Sequence, residues 1–151
     1  MKKTVNDSRA EQVHVLTMSN LNGYNRLFGG QLMSWIDEVA AVVARRHSSS
    51  NVTTASVDTL DFKKPAHANE TVVIKGKITY AGKTSMEINV KTYVEKLNGD
   101  RILINEAYLI MVALDENEKP HQIPELLLLT DEDKQNWNDA QKRREVRKKV
   151  L

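Results

Sequence analysis

Between residues 71 and 95 apolar and polar positions alternate. In "ETVVIKGKITYAG" Val72, Ile74, Ile78 and Tyr80 stand against Lys75, Lys77 and Thr79; in "TSMEINVKTYVEK" Met86, Ile88, Val90 and Val94 stand against Glu87, Asn89, Lys91 and Glu95. A period of two sends successive side chains to opposite faces, so each segment is predicted as a strand with one face on a core. The turns "AGK" and "LNGD" make these hairpins. "NVTTASVDTLDF" is rich in β-branched residues and predicts another strand, while "EQVHVLTM", Glu11 to Met18, alternates weakly and predicts a first one. "RILINEAYLIMVALD" differs, because both its faces are apolar from Ala107 to Leu114. That pattern predicts a central strand covered on both sides, one side by a helix and the other by a second subunit.

The stretch "NRLFGGQLMSWIDEVAAVVARRH", Asn25 to His47, has the helical period instead. With 100° per residue and Ile36 at zero, Leu32, Val39, Ala40 and Val43 fall within about 60° and form the core stripe, with Ser34, Glu38 and Arg45 opposite. The ending "TDEDKQNWNDAQKRREVRKKVL" predicts a second helix, with Thr130 as N-cap, acids in the first turn and bases in the last. The order strand, helix, four strands, helix is the plan of an α+β hotdog fold: an antiparallel sheet wrapped around a long central helix, plus a C-terminal helix. Residues 1–125 then form one domain, and 126–151 a basic helix packed on it or extending from it.

Composition narrows the chemistry. A chain of 151 residues fits one domain and buries roughly two thirds of its unfolded surface. It has no cysteine, which removes disulfides, thiolate nucleophiles and cysteine zinc sites and favours a cytoplasmic protein. No apolar run reaches the roughly 18 residues of a membrane span. The net charge is +2, but "KRREVRKK", residues 142–149, holds six bases against one Glu, leaving the remainder at −3. Basicity confined to a tail, with few aromatic residues interleaved, argues against nucleic acid as partner. The tail is either a solvated helix end or a phosphate contact.

Two costly choices mark the first helix. Gly29 and Gly30 sit where it begins, and Asp37 lies two turns inside it, although glycine and aspartate are both poor helix residues. Asp37 falls at about 100° on the wheel, on a border lined by Gly30, Ala41 and Ala44. This small-residue border serves either the close approach of a ligand or the packing of another element. The glycines make either a tight turn or an opening through which a ligand reaches the unpaired N–H groups of a helix N-terminus, where a carbonyl is polarised and an oxyanion held.

The run "FGGQLMSWIDEVA", followed by "VTTASVD", "LDFKKP" and "TSMEI", resembles the hotdog-fold acyl-CoA thioesterases of the cytosolic long-chain and YciA-like type, from about Leu16 to Leu114. The resemblance implies hydrolysis of fatty acyl-CoA, with Asp37 as the catalytic carboxylate, either general base on water or nucleophile on the thioester. It also implies that Asn22, supplied by a partner subunit, positions carbonyl and water, and that the amide of Gly29 or Gly30 polarises the carbonyl. Coenzyme A, a part of the substrate and not a cofactor, is implied along Ala55, Ser56 and Val57 and along Thr84, Ser85 and Met86, with Arg144 near its phosphates. Self-association follows, as a dimer and then a hexamer, a trimer of dimers. Where relatives carry Asp and Gly in the loop before the helix, this chain has Asn20 and Asn25.

Other chemistries fit less well. There is no G-x-S-x-G elbow. His14, His47, His67 and His121 show no metal spacing, so no metal is expected and each reads as a surface or loop residue. His47 lies about 15 Å along the helix from Asp37, too far to share its site as in a dehydratase. Trp35 and Trp137 read as packing residues. The alternative of a different class is a hotdog module that binds or senses acyl-CoA without turnover; a carboxylate beside a polyanionic ligand favours the enzyme.

Overall fold

The computed structural model describes residues 1–150, apart from the side chains of Thr59 and Val150. Leu151, the end of the expected C-terminal segment, lies outside the described residues. In chain order the elements are β1 (Lys2–Thr4), β2 (Ala10–Val15), α1 (Gly29–Ser48), β3 (Asn51–Phe62), β4 (Thr71–Ala81), β5 (Ser85–Glu95), β6 (Arg101–Leu114), β7 (Glu125–Leu127) and α2 (Asp131–Val150). Five strands form one antiparallel sheet in the order β2-β4-β5-β6-β3. α1 packs along its concave face, which is the hotdog arrangement. The two three-residue strands were not expected; β1 and β7 pair in parallel, Lys2 opposite Glu125.

The core lies between α1 and the sheet. Leu32, Ile36, Val39, Ala40 and Val43 of the expected stripe are buried against Ile74, Ile78, Ile88, Val90, Leu109 and Met111. Apart from Ala40, each such side chain contributes about 1.5–3 kcal/mol by leaving water. Trp35 is buried and stacks on His14 of β2, ring centroids 3.9 Å apart. The closest approach of helix and sheet falls at Gly76 of β4, where a Cβ would stand 2.7 Å from Val39 Cγ1 and 3.1 Å from Val43 Cγ2. Gly76→Ala should therefore overpack the interface and cost about 1–3 kcal/mol, read as a lower urea midpoint at unchanged slope.

α1 ends at Ser49, whose left-handed φ of 57° lets its N–H reach the Arg45 carbonyl. In the last turn His47 is fully buried, which corrects its reading as a surface residue. Its Nε2 stands 2.8 Å from the Pro124 carbonyl oxygen, tying α1 to the segment before β7. Burial lowers the His47 pKa, only partly offset by the Pro124 carbonyl. The folded chain thus binds its proton less readily than the unfolded chain. This stability is present above the unfolded value near 6.5 and is lost as pH falls through it toward the lowered folded value. Thermal midpoints should fall between about pH 7.5 and about pH 5, and fall less in His47→Gln.

The convex face carries α2. Thr130 caps it as expected, its hydroxyl accepting from the Asp133 N–H at 3.0 Å. Among its described residues this helix has almost no apolar stripe: Trp137 packs on Tyr80 and Ala140 is buried. Arg143 lies 3.8 Å over the Tyr108 ring and donates to Glu87 at 2.8 and 3.0 Å. α2 of the same chain thereby covers part of the outer face of β6, where a second subunit was expected; Ile110, Val112 and Leu114 remain half-buried. Among the described residues no helix is long and apolar enough to cross a membrane.

Candidate active site

Asp37 projects from α1 toward the edge strand β3. The Thr54 hydroxyl donates to Asp37 Oδ1 at 2.6 Å and lies 3.4 Å from Met111 Sδ. A β-branched threonine has few rotamers, so the contact fixes one carboxylate oxygen and leaves Oδ2 for another partner. β3 is irregular at this level, with register shifts between Thr54 and Ser56 and between Val57 and Thr59. Ala55, Ser56 and Val57 are exposed there. Among the described residues, the outer row of backbone groups on this edge strand has no partner strand.

A second group of residues surrounds the start of α1. Among the described residues no side chain caps the helix, and beside its first turn lies a cavity of about 360 Å³ lined by Asn22, Gly29, Leu32, Phe62 and Lys63 among others. A Cβ on Gly29 would meet nothing within 4 Å, whereas on Gly30 it would stand 2.6 Å from the Phe28 ring. Asn22 holds the loop in shape: its Oδ1 accepts from the N–H groups of Tyr24 at 2.9 Å and Arg26 at 3.3 Å. Asn25 follows with φ at 58°, a conformation open to asparagine where glycine is absent. Asn20 is occupied elsewhere, accepting from the Thr17 N–H and donating to Gln31.

The expected site residues thus fall into separate places. Asn22 and Gly29 share one cavity, and Asp37 is joined to Thr54 beside Ala55. Along α1, however, seven residues separate Gly30 from Asp37, about 11 Å at 1.5 Å each. One carbonyl cannot touch both groups of a single helix. Met86 faces the core and is 1% exposed, while Thr84 and Ser85 are half-buried. Met86 pairs with Met111, which pairs with Thr54, so β6 separates the two expected coenzyme strands by about 10 Å. Arg144 lies on the convex face, bonded to the Tyr80 hydroxyl at 3.0 Å. Among the described residues no three His, Asp or Glu side chains are placed to hold a metal. Thr54 was missed by the sequence reading, although it lies in the quoted "VTTASVD".

Residues 24–98 match the family model described as the thioesterase superfamily. The chain is 41% identical over 128 residues to the uncharacterized acyl-CoA thioester hydrolase YkhA of Bacillus subtilis, covering 84% of this chain and 74% of that one. The chain belongs to the hotdog-fold thioesterase superfamily. Among solved relatives in this superfamily, an apo-hexameric acyl-CoA thioesterase superposes with a TM-score of 0.95 at 37% identity, covering 99% of this chain and 96% of that one. An acyl-CoA hydrolase from Staphylococcus aureus, solved with butyryl coenzyme A and coenzyme A, gives a TM-score of 0.94 at 32% identity, with 99% and 92% covered. That hydrolase has also been solved with an asparagine, an aspartate and a threonine each replaced by alanine; 15 residues separate the first two and 17 the last two. Some superfamily members are longer: this chain spans 24% of mouse acyl-coenzyme A thioesterase 11.

Proposed function

We propose that the chain is an acyl-CoA thioesterase whose site is shared by two protomers, Asp37 and Thr54 from one facing Asn22 and the Gly29–Gly30 amides of the other. Water, deprotonated by Asp37, adds to the thioester carbon; the C–S bond breaks and coenzyme A leaves as the thiol with the proton returned. In the variant of this step the carboxylate itself attacks, and water then hydrolyses the mixed anhydride. The helix N-terminal amides stabilise the oxyanion, and such donors are worth roughly 10²- to 10³-fold in rate.

The observation that carries the reading is the bond between Thr54 and Asp37 on an open edge. Asn22, Asp37 and Thr54 have the same residue types and the same intervals as the three replaced in the Staphylococcus aureus hydrolase. The separation of Gly30 from Asp37 supports the sharing, because only a second chain can bring the two half-sites together. The exposed side chains of Val57, Leu60 and Phe62 on the free edge favour a dimer formed along β3. Hexameric relatives support a trimer of such dimers. The chemistry uses only these side chains and water, without a cofactor, and the cysteine-free sequence suits the cytoplasm.

The test is thiol release from acyl-CoA esters of short to long chain. Turnover of at least one ester is expected; saturable coenzyme A binding with no turnover of any would leave a binding module in its place. Thr54→Val should keep the fold and lower kcat by roughly 10- to 100-fold, the range of one hydrogen bond to a charged group, with KM little changed.

A further inference from the structure

The convex face holds a cleft of about 600 Å³ that the proposed hydrolysis does not use. Five cations line it: Arg9, Arg46, Lys75, Lys77 and Lys91. They come from four separate parts of the chain, the entry to β2, the last turn of α1, β4 and β5. Lys75 and Lys91 are direct cross-strand partners, like charges flanked on the outer side by Glu11 opposite Lys75 and by Glu106 opposite Lys91, its carboxylate 3.9 Å from the Lys91 ammonium. Arg46 donates to the Arg9 carbonyl, which draws two more cations together. Against these stand two carboxylates in the lining, Glu11 and Glu132. Glu132, from the first turn of α2, is bonded to Lys77 at 2.8 Å. That bond, followed by the charges of Lys77, Arg9 and Lys91, lowers the pKa of the Glu132 carboxyl. Glu132, Glu11 and Glu106 together leave the five cations in excess by two.

We propose that this cleft binds a diphosphate group, seated on Lys75, Lys91 and Arg9 beside the Glu132 carboxylate. Tyr93 and Asn89 also line the cleft and offer a ring face and an amide to whatever the diphosphate carries. The group has two sources, a free diphosphate ligand or the nucleotide end of coenzyme A extending from a neighbouring protomer. Within one chain the cleft is separate from Asp37: it is built on β4 and β5 and touches α1 only at Arg46 in its last turn, while Thr54 is on β3.

Calorimetric titration with inorganic pyrophosphate should show saturable, salt-sensitive binding to the wild type. The double substitution Lys75→Gln with Lys91→Gln should weaken it on the order of tenfold or more, charge-assisted hydrogen bonds being the strong ones. The same variant should melt close to wild type, because relief of the opposed like-charge pair offsets the loss of the partly exposed Lys91–Glu106 ion pair. Glu132→Gln should tighten binding several-fold, an outcome that simple loss of structure would not give. No binding to the wild type, or equal binding to the double variant, would overturn the proposal. Steady-state hydrolysis of an acyl-CoA and of the matching acyl-pantetheine then separates the sources. A raised KM for acyl-CoA alone identifies the substrate's own nucleotide, and unchanged KM values for both identify a separate ligand. Pyrophosphate binding is measured without turnover, so its failure is distinct from failure of the thioesterase reading.

Discussion

Asp37→Asn should fold and associate as wild type does, bind coenzyme A, and release thiol from acyl-CoA more slowly by roughly 10²- to 10⁴-fold, the contribution of a positioned general base. The amide is nearly isosteric and still accepts from Thr54, so the loss isolates charge and basicity from packing. Full activity in this variant would remove Asp37 from the mechanism. The shared site makes a sharper expectation. Asn22→Ala should also be nearly inactive, yet refolding the two inactive variants together should restore activity. In a two-fold dimer with a site at each end, a mixed pair has one site carrying both substitutions and one carrying neither. Random pairing at equal amounts should therefore return about a quarter of wild-type activity. Failure of the mixture to recover, with exchange demonstrated by mass, would place all the groups of one site on one chain.

Glu87→Ala should be the most damaging substitution outside the core. Glu87 is 1% exposed, accepts from Arg143 through both carboxylate oxygens and from Thr79 at 2.7 Å, and lies 3.8 Å from Arg147. Arg147 also pairs with Asp58 of β3 at 3.0 Å, so with Thr79 of β4 and Glu87 of β5 the network joins α2 to three strands. Removing one partner of a buried ion pair typically costs about 3–5 kcal/mol, and Arg143, partly exposed, can recover some hydration by turning outward. A loss near 3 kcal/mol in urea unfolding, with α2 becoming the first site of proteolytic cleavage, is expected. A variant as stable as wild type would show that Trp137 and Ala140 are enough to hold the helix.

The contrast between Glu87 and Asp37 marks what could be read from sequence. The period of two over residues 71–95 located both strands, and the helical period over 29–48 fixed the register that puts Asp37 on the border of the core stripe. Both signals are local. Glu87 had the same alternation and read as a solvated face, because nothing in "MEINVK" shows that a polar helix from 44 residues or more downstream lies over it. Nothing in the alternation explains Gly76; its reason is the crossing of Val39 and Val43, a distance in space. The bond between Thr54 and Asp37 spans 17 residues and depends on how α1 crosses the sheet. His47 carried the helical period in its last turn and was read by its type as exposed. The coenzyme strands illustrate the same limit: adjacency of motifs along the chain did not reveal that β6 runs between β3 and β5.

The parallel pairing of β1 with β7 sets an order of events for the chain. Lys2 faces Glu125, so this contact closes a loop of more than 120 residues, and its entropic cost is repaid only once the intervening sheet already holds the ends near each other. It therefore forms late, and the burial of His47 beneath Pro124 is completed with it. The same clamp has few bonds of its own and opens without dismantling the sheet. In native-state hydrogen exchange the Glu125 N–H, bonded to the Met1 carbonyl at 3.2 Å, should exchange well before the amides of β4 and β5, through a local opening that frees the chain start and the last turn of α1 together.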